Sequence, residues 1–245
     1  DGKFQIVDLA LAPHMLVAGT TGSGKTVFLN AIIISLFHQY SKDELELLIV
    51  DPKQMDFHFF EGLPYLRAGK VLTDANEAIE ALEHIRTVDM PERIEKIKSS
   101  GSKNIASYNA KNPTNKMKYL VIIIDEYSAL VNAADMQGKK IRETFEKNLC
   151  TLVYMARSFG IQMVVATQHP TANYVTSSLK ANLPFRVSFR LPSHTDSMTI
   201  LDRTGAEDLL GKGDMLMITD SDILRMQGFY IDEDELVEYL DTKKR

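Results

Sequence analysis

The chain has 245 residues, 44% of them hydrophobic and 25% charged, and its 28 Lys and Arg stand against 33 Asp and Glu for a formal charge of −5. The acidic balance excludes a uniformly basic nucleic-acid coat, and a globular chain of this length buries roughly 70–75% of its unfolded surface in a sizeable core. The single cysteine, Cys150, excludes an internal disulfide framework and is expected to fill the core, while six scattered histidines with no i, i+4 pair give no helical metal site.

In chain order, residues 1–5 lead almost directly into a strand pattern, as expected of a single domain (1–245) excised from a longer chain. Short Val- and Ile-rich runs at 15–18, 45–50, 119–124, 162–166, 186–191 and 215–218 predict strands. Between the first two, residues 25–40 read as a helix. Residues 74–88 carry Ala75, Ala78, Ile79, Leu82 and Ile85 on one helical face, with Thr73 and Asp74 as cap residues and Glu77 in the first turn. Residues 91–118 mix charges with Gly101, Asn112 and Pro113, which predicts a short helix and then an irregular excursion. This alternation is α/β: a mostly parallel sheet flanked by helices on both faces. No apolar run reaches the roughly 18 residues of a membrane span, and no basic-then-apolar leader opens the chain.

Gly19-Thr20-Thr21-Gly22-Ser23-Gly24-Lys25-Thr26 follows the first strand and opens the first helix, and it matches the P-loop pattern at every position. The chemistry needs that arrangement because glycines let successive N–H groups turn toward phosphates, where the helix N-terminus adds its positive end. Lys25 would reach the β and γ phosphates of ATP, Ser23 and Gly24 would cradle the β phosphate, and Thr26 would offer its hydroxyl to Mg²⁺. The run 119–124 ends in Asp125-Glu126, at the strand end where open α/β sheets bind ligands. Asp125 would hold Mg²⁺ through its water shell and Glu126 would polarise the attacking water. Gln168, after the strand 162–166, could contact the γ phosphate. A γ phosphate in such a site is short of positive charge, which a neighbouring subunit's arginine can supply; Arg157, Arg186 and Arg190 are candidates near strand ends. Each of these residues also has an ordinary reading as a solvated turn, a polar strand end or a surface arginine.

Together these motifs resemble the FtsK/SpoIIIE family of double-stranded DNA translocases, whose motor is a RecA-like P-loop NTPase domain. The resemblance extends through Leu48-Ile49-Val50-Asp51-Pro52-Lys53, Ala166-Thr167-Gln168, Lys180-Ala181-Asn182, Asp196-Ser197, Thr199-Ile200-Leu201-Asp202, Gly205-Ala206-Glu207, Leu209-Leu210-Gly211 and Gly213-Asp214-Met215-Leu216. Asn104, Tyr108 and Asn109 resemble the family's insertion before the Asp125 strand. The resemblance implies a hexameric ring that hydrolyses ATP between subunits and threads duplex DNA through its centre. Only the pore then needs to be basic. The segments 132–140 and 169–180 would face that channel, with Lys139, Lys140 and Lys180 near phosphates. The chain departs from the family at His169 and Met198, where arginines are usual; a trans-acting role would then fall to Arg157, Arg186 or Arg203. It also implies a cytoplasmic domain that makes no membrane contact itself, whatever tethers the longer chain.

Three functions compete: an ATP-driven duplex DNA translocase serving chromosome segregation, conjugation or DNA defence; a protein-secretion ATPase of the same superfamily; and a non-hydrolysing nucleotide scaffold. The blocks from Asp196 to Leu216 favour the first, and Glu126 argues against the third.

Overall fold

The computed structural model describes residues 14–218 and 222–244; the strand pattern expected after residues 1–5 lies outside them. Seven strands form one sheet in the order β2-β3-β4-β1-β5-β6-β7. They are β1 (His14–Ala18), β2 (Leu45–Val50), β3 (Tyr119–Ile124), β4 (Ile161–Thr167), β5 (Phe185–Phe189), β6 (Asp214–Ile218) and β7 (Ile223–Gln227). The first five are parallel, and β6 and β7 extend the sheet antiparallel.

The central strands are buried on both faces, which is why they read as unbroken apolar runs. Along β1, Leu16 and Ala18 face a core shared with α2 (Ala75–His84), α5 (Tyr127–Met136), α6 (Lys139–Ala156), α7 (Ser177–Asn182) and α8 (His194–Leu201). Met15 and Val17 face the opposite core, built with Leu29, Ile33 and Phe37 of α1 (Lys25–Gln39) and Leu236 and Leu240 of α9 (Glu233–Lys244). At about 25 cal/mol per Å² of apolar area removed from water, each fully buried Leu or Ile here stabilises the fold by roughly 1.5–3 kcal/mol before its entropy cost.

Several boundaries differ from the sequence expectation for identifiable reasons. Asp74 does cap α2, its carboxylate accepting from the N–H groups of Asn76 and Glu77 at 2.9 Å. The helix then continues through a π-helical turn, Ile85–Asp89, into α3 (Met90–Ser99). Pro91 falls beside this turn, where Met90 N–H already bonds back to the Ile85 carbonyl, so the proline ends nothing. The irregular excursion expected before β3 instead contains α4 (Ile105–Lys111), closed by a capping box between Asn104 and Ser107. The fifth strand stops at Phe189 rather than 191, because the Arg190 carbonyl turns to accept from Thr20 N–H at 3.1 Å. Cys150 is half-buried on α6, near the Ser178 hydroxyl, and does not fill the core. The strand expectations also omit β7, and the helix expectations place none of α5 to α9; in β7 and α9 charge dilutes the alternation.

The sheet order fixes the site. Strand β4 lies between β1 and β3, so the ends of all three strands, carrying Gly19, Gln168 and Asp125, emerge side by side at the C-terminal edge.

Candidate nucleotide site

Residues 19–24 form a loop whose shape depends on glycine. Gly24 caps α1 at φ +108°, and a Cβ there would meet backbone: Gly213 N at 2.5 Å and Gly213 Cα at 2.8 Å. Gly213 N–H in turn donates to the Ser23 carbonyl at 2.8 Å, so the turn before β6 props the loop from behind. The first turn of α1 has no side-chain cap and no acidic residue. Its N–H groups and positive dipole end therefore remain for an anion. Two buried polar atoms at the site, Ser23 Oγ and Asp125 Oδ2, have no hydrogen-bond partner among the described residues. Buried polar atoms rarely stay unpaired, and both suit a phosphate and its cation.

Lys25 Nζ is buried and donates to Asp125 Oδ1 at 2.5 Å and to the Asp125 carbonyl at 2.9 Å. Burial pushes the Asp125 carboxyl up, against the pull of the Lys25 ammonium, and Asp56 and Asp51 repel its charge further. Removing either partner would leave a buried charge uncompensated, a cost of about 3–5 kcal/mol. Thr26 Oγ1 donates to Asp56 Oδ2 at 3.1 Å.

Glu126 is buried in a dense ring of donors. Its Oε1 accepts from Ser128 and Thr167 hydroxyls, each at 2.7 Å, and its Oε2 accepts from Lys53 Nζ at 3.0 Å and Gln168 N–H at 3.2 Å. Burial alone would raise its carboxyl, but the bonds from Ser128, Thr167 and Lys53 outweigh burial and hold it below the usual range. Gln168 Oε1 accepts from the Thr21 hydroxyl at 3.3 Å, joining the end of β4 to the loop.

The structure thus brings Gly19, Thr20, Thr21, Gly22, Ser23, Gly24, Lys25, Thr26, Asp125, Glu126 and Gln168 to one edge. The outlying candidates fare differently. Arg186 bonds to Asp202 and to the Ile200 carbonyl, and Lys180 donates to the same Asp202 at 2.6 Å. Neither is free to serve a second partner without breaking that network. Arg190 and Arg203 are exposed, as are His169 and Met198. Lys139 and Lys140 are exposed at the start of α6, Lys139 lying 3.9 Å from Glu143.

Sequence reasoning passes over Lys53, Asp56, Ser128 and Thr167 as site residues. A signal exists for the first two. Asp51-Pro52-Lys53 follows an apolar strand, and Asp51 spends its carboxylate on four loop N–H groups, those of Lys53, Gln54, Asp56 and Phe57. That bonding curls the loop so that Lys53 and Asp56 turn back over the site.

A model of the FtsK/SpoIIIE family matches residues 1–172. The chain is 40% identical over 237 residues to a DNA translocase FtsK of Caldanaerobacter subterraneus, covering 96% of this chain and 32% of that protein. It is 36% identical over 253 residues to DNA translocase SpoIIIE of Bacillus subtilis, covering 98% and 30%. The chain therefore spans about a third of the length of these curated relatives. Among solved structures it resembles the pCW3 conjugation coupling protein TcpA with ATPγS, at TM-score 0.78 and 28% identity over 98% of this chain and 67% of that one. The type VII secretion ATPase EccC of Thermomonospora curvata shares the fold, at TM-score 0.76 and 23% identity over 93% and 28%. With its RecA-like P-loop fold and a family match covering most of its length, the chain belongs to the FtsK/SpoIIIE family.

Proposed function

We propose that this chain is a single motor domain that hydrolyses ATP to drive double-stranded DNA through a ring of identical subunits, on the cytoplasmic side of a membrane. The observation that carries the reading is the convergence of an uncapped helix N-terminus, Lys25, Asp125 and Glu126 at one sheet edge in a chain of this family. The naming of its relatives as DNA translocases supports the substrate. No helix among the described residues is long and apolar enough to cross a membrane.

Lys25 and the N–H groups of residues 22 and 24–26 would hold the β and γ phosphates, the Ser23 N–H being bonded to the Thr20 carbonyl at 3.1 Å, and Thr26 and Asp125 would hold Mg²⁺. The ion supplies charge neutralisation across the phosphates when bound. Lys25 exchanges its bond to Asp125 for phosphate, which frees the Asp125 carboxylate to face the cation. Glu126, kept ionised by its donors, accepts the proton of the attacking water; general-base assistance of this kind contributes about 10²–10⁴ in rate. Thr167 and Ser128 fix the carboxylate's orientation, and Gln168 ties it to Thr21 of the loop. The candidates for an arginine that completes the site of a neighbouring subunit are Arg157, Arg190 and Arg203, and Arg186 is bonded to Asp202. Of the pore cations, Lys139 and Lys140 are better suited than Lys180, which is held by Asp202.

The test is steady-state ATPase activity with and without long duplex DNA across a range of protein concentrations. Cooperative stimulation by duplex is expected. Ring formation with no stimulation by duplex would overturn the DNA assignment in favour of a polypeptide substrate.

A further inference from the structure

We propose that Asp56, in the loop after β2, is a further Mg²⁺-facing residue, holding the ion's water shell together with Thr26 and Asp125; this rests on the nucleotide reading above. Mg²⁺ keeps several waters and is held by one or two carboxylates plus substrate phosphates rather than by an all-protein cage. Among the described residues, no three His, Cys, Asp or Glu side chains stand close enough to bind a metal unaided. An ion at this site would be held by the Thr26 hydroxyl and phosphate oxygens, with nearby carboxylates acting on its waters.

Three observations single out Asp56. Its Oδ2 accepts from the Thr26 hydroxyl at 3.1 Å, so it lies at the P-loop residue expected to meet the cation. Its charge acts on Asp125, whose Oδ2 is fully buried with no hydrogen-bond partner among the described residues. Two carboxylates thus repel one another beside the P-loop, one of them bonded to the Thr26 hydroxyl, and a cation would relieve both the repulsion and the unpaired oxygen. The loop also holds Asp56 in position. Its backbone N–H donates to Asp51 at 3.1 Å, and the next residue, Phe57, is fully buried. Asp51 is excluded from the same role because its oxygens are already taken by four backbone donors.

Asp56→Asn tests this cleanly, since the amide oxygen can still accept from Thr26 while the charge is gone. The affinity of a fluorescent ATPγS analogue would be titrated with Mg²⁺ and measured separately in EDTA, for the wild-type chain and the variant. The expected result is that the Mg²⁺ concentration for half-maximal nucleotide binding rises about tenfold or more, with affinity in EDTA unchanged. Manganese binding read by electron paramagnetic resonance in the presence of ATPγS should weaken in parallel. An unchanged Mg²⁺ midpoint would overturn the proposal. So would an equal loss of affinity in EDTA, because that reports a disturbed loop rather than a lost metal contact. If the wild-type chain itself shows no Mg²⁺-dependent nucleotide binding, the underlying nucleotide reading falls instead.

Discussion

The P-loop contains two glycines at positive φ that differ in what surrounds them, and that difference can be measured. A Cβ added at Gly22 (φ +75°) would have nothing within 4 Å, whereas at Gly24 (φ +108°) the same atom would collide with the Gly213 backbone. Alanine in left-handed backbone costs about 1–2 kcal/mol at either site. At Gly24 the collision must also push Gly213 away, breaking its bond to the Ser23 carbonyl and leaving a buried pair unmade, for about 1–3 kcal/mol more. Each kcal/mol shifts the melting temperature of a chain this size by about 2–4 °C. Gly22→Ala should therefore lower it by about 2–8 °C, and Gly24→Ala by a further 2–12 °C or so. Differential scanning calorimetry of the two variants, with nucleotide titration alongside, reads the gap directly. Equal melting temperatures would refute the reasoning, because the Gly213 prop would then contribute nothing to the loop.

Three other outcomes follow from the site and core. Glu126→Gln should retain nucleotide binding while turnover falls at least about 100-fold, and normal turnover in a steady-state assay would move the base elsewhere. Lys53→Met removes the cation that holds Glu126 Oε2 from the half-exposed side; kcat should drop about tenfold with nucleotide affinity within about twofold, as for a misplaced catalytic group. An unchanged kcat would show that Ser128 and Thr167 orient the carboxylate unaided. His14 is buried at the start of β1, and burial, with Arg157 nearby, lowers its pKa to about 4. The unfolded chain takes up that proton near pH 6.5, so stability is full above 6.5, falls by about 3 kcal/mol as pH drops toward 4, and loses no more from this group below that. Urea midpoints at pH 7 and pH 4.5 should differ less in His14→Gln than in the wild type, and an equal difference would exclude His14 as the cause.

Much of the site was legible because its residues sit next to one another in the chain. The P-loop and Asp125-Glu126 each follow an apolar strand, and the strand end itself positions them. Lys53, Asp56 and Thr167 were harder to see because their roles come from sheet order: β2, β3 and β4 must lie side by side before Lys53 and Thr167 can reach Glu126. The same distance in sequence hid the Gly213 prop. In the fold, the buried strands were plain from continuous Val and Ile, whereas β7 was not, since only Ile223 and Met226 of it are half-buried and Arg225 instead pairs with Asp214. The continuation of α2 into α3 was obscured by Pro91, whose usual meaning is a break; the π turn that cancels it leaves no mark in the hydrophobic pattern. The ion pairs that tie Arg186 and Lys180 to Asp202 depend on a residue in left-handed backbone at the end of α8, which periodicity does not reveal.

The strand that carries the P-loop is among the earliest in the sequence yet sits in the middle of the sheet, paired with β4 and β5. Its edges stay open until residues 161–189 have been made, and the turn at Gly213 that props the loop arrives later still. At about 5–20 residues per second, the roughly 145–170 residues between β1 and its partners keep the apolar strand waiting on the order of 7–35 s during synthesis. A nascent chain therefore cannot use nucleotide to guide its early folding, and its long-range pairings make it a slow folder. The interval also exposes an aggregation-prone strand at the stage when the chain most needs shielding.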